Sequence, residues 1–75
     1  MFFRIYPLDP GGRYQPPHEC ECEDDAAALA EAGLLGERIQ HGFDLWQLER
    51  YLGRYRPDGA GPPVLVSRAA MGRDS

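Results

Sequence analysis

Phe43-Asp44-Leu45-Trp46-Gln47-Leu48-Glu49-Arg50-Tyr51-Leu52-Gly53-Arg54-Tyr55 is the stretch on which the fold turns. As a helix it has Asp44 at the N-cap and Gln47 in the capping-box position. Leu45, Leu48, Leu52 and Tyr55 then form one apolar stripe. As strands it is a hairpin that reverses around Leu48-Glu49-Arg50. Turn chemistry there is poor, because neither Gly nor Asn supplies a positive φ. Local propensity alone slightly favours the helix, and both readings stand at this point.

The segments before it are clearer. Phe2 to Leu8 is aromatic and β-branched and reads as a strand, with Pro7 marking an edge or a bend near its end. Phe3 and Ile5 share one face; Phe2, Arg4, Tyr6 and Leu8 share the other. Asp9-Pro10-Gly11-Gly12 is a turn. Pro16-Pro17 keeps the next extended run out of a central strand position at first. From His18 the run alternates, with His18, Cys20 and Cys22 inward and Glu19, Glu21 and Glu23 outward. Asp24 then caps a helix, and Asp25 suits the positive end of its dipole. Ala28, Leu29, Ala32 and Leu35 form the stripe that packs on a sheet, and the helix frays between Gly36 and Arg38. His41-Gly42 is a break.

After Pro57 the composition changes. Residues 57–75 read as a Pro/Gly-rich linker and a flexible tail, within which Val64-Leu65-Val66 is open between tail and an added edge strand.

Three groups of residues carry a family resemblance: Phe3-Arg4-Ile5-Tyr6-x-Leu8-Asp9-x-x-Gly12, Cys22-x-Asp24-Asp25-x-x-Ala28-Leu29-x-x-Ala32, and Asp44-Leu45-Trp46-Gln47-x-x-Arg50. Together they resemble a group of small alphaproteobacterial proteins with no assigned activity. Those proteins share a Cys-x-Asp-Asp-x-x-Ala-Leu helix entry and a late Trp-x-x-x-Arg segment. The resemblance spans residues 2–56. It implies a β-hairpin, a helix and a second β-hairpin, and so favours the hairpin for 43–56. In many members the turn after the Trp holds a Gly-Asp pair, whereas Leu48-Glu49 stands here.

Composition narrows the function classes. Seventy-five residues make one domain, with 43% hydrophobic residues and a net charge of −4. That charge argues against general binding to nucleic acid or anionic membranes, which needs a phosphate-neutralising field. All eight basic residues are Arg. Neither a membrane-spanning run nor a signal-peptide pattern is read, so a cytoplasmic setting with reduced cysteines is expected.

His18, Cys20, Cys22 and His41 are the metal-ligand types. Residues two apart on a straight strand lie about 6.6–6.8 Å apart, whereas zinc ligands sit about 2.0–2.3 Å from one ion. No metal and no cofactor are therefore expected, and a Cys20–Cys22 disulfide is read as poor on the same spacing. The carboxylates from Glu19 to Asp25 read as solvated charge that protects a strand edge. Arg50, Arg54 and Arg56 form a basic patch beside Tyr51 and Tyr55, suited to an anion, an acidic peptide or stacked single-stranded nucleic acid. It also complements the acidic cluster of a second copy. Trp46 either lies under the helix or marks an exposed contact surface.

These readings converge on a small α+β domain, ββαββ, over residues 1–56. One helix packs on one face of an antiparallel-type sheet. No nucleophile–base pair or phosphate loop is legible, so a non-enzymatic protein-interaction module is expected. It would self-associate through its uncovered sheet face or an edge, with Trp46, Arg50, Tyr51, Arg54 and Tyr55 as contact residues. The alternative is a nucleic-acid-associated regulator that uses Arg50–Arg56.

Overall fold

The computed structural model describes residues 1–59 and 61–68. Strands β1 (Phe2–Pro7) and β2 (His18–Glu21) are followed by helix α1 (Asp25–Gly33) and a 3₁₀ turn at Gly36–Ile39. Strands β3 (Phe43–Gln47), β4 (Arg50–Arg56) and β5 (Val64–Ser67) complete the chain. The five strands form one open sheet in the order β2-β1-β3-β4-β5, every pair antiparallel. This is the α+β fold expected, with one helix on one face.

Local chemistry sets each boundary. Pro7 is the last residue of β1, an interior strand and not an edge, and beyond it the Leu8 N–H still donates to the Gly42 carbonyl at 2.9 Å. Asp9 holds the turn that follows: its Oδ1 accepts from the backbone N–H groups of Gly11 and Arg13 at 2.9 and 2.8 Å. Asp24 caps α1 by accepting from the Ala27 N–H at 2.9 Å. Ala28 and Ala32 are fully buried, and their small side chains let the helix lie close on the sheet. Gly42 starts β3 at φ 93°, and a Cβ there would lie 2.9 Å from the Tyr55 carbonyl oxygen. Only glycine fits that approach.

The stretch Phe43–Tyr55 is a hairpin. β3 pairs with β1 on one side and β4 on the other, and this double pairing outweighs the local preference for helix. The chain reverses at Leu48-Glu49 with Leu48 at φ 56°, a left-handed conformation that is unusual for leucine. A bulge between Leu45 and Trp46 sets Leu45 opposite Gly53 and Trp46 opposite Tyr51. It turns Leu52 onto the core.

Two expectations about the end of the chain are corrected. Val64–Ser67 is a fifth strand paired with β4, so this part of the tail belongs to the sheet. Its Leu65 side chain reaches over Gly53, whose missing side chain leaves the room. Pro63 is buried and comes within reach of Gly33, so the linker packs back on the end of the helix. The flexible tail expected over 69–75 lies outside the described residues.

The core lies between α1 and the sheet. Phe3, Ile5, Phe43, Leu45 and Tyr55 meet Ala28, Ala32 and Ile39 there. Phe43 and Tyr55 stack at 5.6 Å between ring centroids. Each large side chain buried in this way contributes about 1.5–3 kcal/mol.

Candidate interaction surface on the open sheet face

Strand alternation that sends Phe3, Ile5, Phe43 and Leu45 to the helix sends their neighbours to the opposite face. Register then assembles two rows across the sheet. One row is Glu19–Arg4–Trp46–Tyr51, and the other is Tyr6–Asp44–Arg54. No helix among the described residues covers this face.

Asp44 lies at the centre and is completely buried. Arg54 grips it in a bidentate pair: Nε donates to Oδ1 at 2.7 Å and Nη2 to Oδ2 at 3.1 Å. The Tyr14 hydroxyl donates to Oδ2 at 2.6 Å. Tyr14 comes from the loop after β1, which folds back over the sheet so that its ring stacks on Tyr6 at 4.6 Å. Trp46 Nε1–H donates to the Tyr14 hydroxyl at 3.3 Å, and Tyr51 meets the Trp46 ring edge-on at 5.1 Å. The buried carboxylate, neutralised by the guanidinium, thereby anchors four aromatic rings through the one phenol of Tyr14.

Electrostatics follow from this packing. Burial, then the hydrogen bond to Asp44, pushes the Tyr14 phenol up to about 12. Burial and the same carboxylate raise Tyr51 as well. The Arg54 guanidinium is held charged mainly by its hydrogen bonds to Asp44. No buried side-chain nitrogen or oxygen among the described residues lacks a partner. The cluster is a satisfied clamp whose protons and lone pairs are committed to one another.

Two clefts open beside the clamp. One, about 300 Å³, is lined by Arg4, Tyr6, Tyr14, Trp46, Leu48 and Glu49. The other, about 610 Å³, is lined by Arg4, Gln47, Leu48, Glu49 and Arg50. They meet at Arg4, whose Nε is paired with Glu19 at 2.9 Å, and at the exposed Leu48.

The residues expected at a contact surface divide accordingly. Trp46 and Tyr51 are half-buried on the open face and touch each other, and Arg50 is exposed at the hairpin end. Arg54 shares this face, but Asp44 neutralises its charge, so Arg50, Arg54 and Arg56 are not three free cations. Tyr55 faces the other way. It is 6% exposed in the core, because the alternation that exposes Arg54 turns Tyr55 under the helix. Arg4, Tyr6, Tyr14 and Asp44 were not expected here. The sequence did place Arg4 and Tyr6 on one face of β1, but only the pairing of β1 with β3 sets them beside Trp46.

The thiols also depart from the straight-strand expectation. β2 ends at Glu21, Cys22 follows before the bend at Glu23-Asp24, and the Sγ atoms of Cys20 and Cys22 lie 3.6 Å apart. Among the described residues no three His, Cys, Asp or Glu side chains converge as a metal site. No helix among them is long and apolar enough to cross a membrane.

No protein-family model matches this chain, and searches of curated proteins and of solved structures return no match.

Proposed function

We propose that this chain is a protein-interaction module, that the open sheet face is its contact surface, and that a second copy of the chain is its first partner. The observation that carries this reading is the half-exposed aromatic cluster of Trp46, Tyr51, Tyr6 and Tyr14, held rigid by a buried ion pair and flanked by Arg4 and Arg50. Trp, Tyr and Arg are the residues that dominate binding energy at protein interfaces. Pre-fixed rings lose little conformational entropy on association. The face is close to electrically neutral, since Arg4 is paired with Glu19 and Arg54 with Asp44. That balance favours a protein over a polyanion. The setting that fits two free thiols is the cytosol.

The nucleic-acid reading draws on Arg50 and Arg56, both exposed, next to stacking aromatics. The −4 net charge and the neutralised Arg54 weigh against it.

Sedimentation over a concentration series tests the proposal. The wild-type chain is expected to self-associate, and Trp46→Ala and Arg50→Glu to shift it toward monomer with unchanged far-UV circular dichroism. A wild-type chain that stays monomeric at every concentration, yet binds single-stranded oligonucleotides with a steep salt dependence, would replace this reading with the second one.

A further inference from the structure

Outside the open face, the most reactive groups brought together by the fold are Cys20 and Cys22. Cys20 faces the helix from β2, and Cys22 lies one residue past the strand end. Both side chains pack against the core, and the Cys22 thiol donates to Cys20 Sγ at 3.6 Å. A cleft of about 590 Å³ lined by Met1, Glu21, Cys22, Glu23, Ala27 and Glu31 reaches Cys22 from solvent. Cys20 does not line it.

We propose that Cys20 and Cys22 form a modification site, a dithiol that a hydroperoxide closes into a reversible intramolecular disulfide. The Cys22 thiolate attacks the outer oxygen of the hydroperoxide. The O–O bond breaks, the leaving alkoxide or hydroxide takes up a proton, and Cys22 becomes a sulfenic acid. Cys20 Sγ then attacks the Cys22 sulfur. The S–O bond breaks, and hydroxide departs as water with the Cys20 proton. The net reaction consumes two thiols and one hydroperoxide and yields one disulfide, one alcohol or water, and one water.

The fold separates the two roles. Cys22 meets the oxidant because the cleft opens onto it. Cys20 is the resolving thiol: it lies off the cleft, packed against the core, with its Sγ 3.6 Å from that of Cys22. The second step is intramolecular between sulfurs already in contact, which favours closure over further oxidation of the sulfenic acid. Closure shortens the sulfur separation to about 2.05 Å. Cys22 lies one residue beyond β2, where two hydrogen bonds with Met1 hold its backbone: its N–H donates to the Met1 carbonyl at 2.9 Å and its carbonyl accepts from the Met1 amine at 3.0 Å, so the side chains make the approach. A disulfide closed across so short a loop is strained, and strained disulfides are readily reduced. Reversible closure is the behaviour expected of a cytosolic thiol pair.

The full chain, reduced, is treated with hydrogen peroxide, alkylated under denaturing conditions and weighed intact. The expected result is two populations, doubly labelled and unlabelled, with the unlabelled one monomeric and restored to double labelling by dithiothreitol. Cys20→Ser is expected to lose the disulfide, recognised as the unlabelled species lighter than the reduced chain by two hydrogens, and to accumulate at Cys22 species heavier by one or two oxygens, the sulfenic and sulfinic acids. Singly labelled wild-type chains, independent sulfinic acids or disulfides between chains would overturn the proposal. This readout is on the unaltered protein and does not depend on a variant folding.

Discussion

The two faces of the sheet are buried by different means. On one, α1 and the 3₁₀ turn seal Phe3, Ile5, Phe43 and Leu45 in an apolar core. On the other, no helix among the described residues arrives, yet Asp44 is equally buried, enclosed by Tyr14, Arg54 and their neighbours. β3 supplies both, with Phe43 and Leu45 facing one way and Asp44 and Trp46 the other. The helix-covered face derives stability from removing carbon from water. The open face uses a satisfied polar centre to hold aromatic rings that remain half-exposed. A small domain can therefore keep a rigid apolar surface available without collapsing it into its core.

The strongest way to break this comparison is to truncate one ring from each face of β3. Phe43→Ala is expected to cost about 3–5 kcal/mol in urea denaturation, because it leaves a cavity under the helix. Trp46→Ala is expected to cost about 1–2 kcal/mol, since its ring is already half in water. Equal losses would mean that the two faces are both structural core.

Arg54→Met tests the polar centre. It keeps much of the side chain but removes the cation from a buried carboxylate, and about 2–3 kcal/mol is expected to be lost. The figure is reduced from that of a fully buried pair because the Arg54 side chain is 30% exposed. Asp44→Asn should cost less, about 1–2 kcal/mol, because the remaining guanidinium can turn to water. The reverse order would show that Asp44 does not depend on Arg54.

Tyr14→Phe is a finer probe, read as stability against pH. The Tyr14 pKa in the folded state, about 12, lies above its ordinary value of 10.0. The folded state thus holds the proton more tightly. The contribution is complete below about pH 10 and is lost as pH rises toward 12. Cys20 is shifted in the same direction, so the difference between wild type and Tyr14→Phe isolates the phenol. At neutral pH the variant is expected to lose about 1 kcal/mol for the hydrogen bond, and its stability should fall less steeply above pH 10.

The smallest effect expected is a gain. Leu48→Gly relieves a left-handed φ of 56° at an exposed turn and should stabilise the chain by about 0.5–1 kcal/mol in the same denaturation assay. It also removes an apolar side chain from both clefts, so stability and association should move in opposite directions.

Much of the fold was legible because its signals are local. Asp24, the Ala stripe and the alternation from His18 to Glu21 each need only a few neighbours to be read. The hairpin at Phe43–Tyr55 was harder, since Leu48-Glu49 lacks turn residues and the stabilising pairing with β1 is remote in sequence. β5 stayed undecided because Val64-Leu65-Val66 is short and follows a Pro/Gly-rich linker. Its docking depends on Gly53, where a missing side chain gives no apolar signal. The candidate surface was half legible. Trp46 and Tyr51 stood out as aromatics, but Asp44 read as a helix cap. Its burial depends on Arg54 across the hairpin and on Tyr14, thirty positions away in sequence. No periodicity encodes that contact. Tyr55 was grouped with its basic neighbours by composition, and register places it in the core instead.

Amide chemical shifts followed over a dilution series test the central claim most directly. The account predicts concentration-dependent shifts at Arg4, Tyr6, Trp46, Arg50 and Tyr51, with Ala28–Ala32 unmoved. Shifts confined to the helix, or spectra unchanged from dilute to concentrated protein, would contradict it.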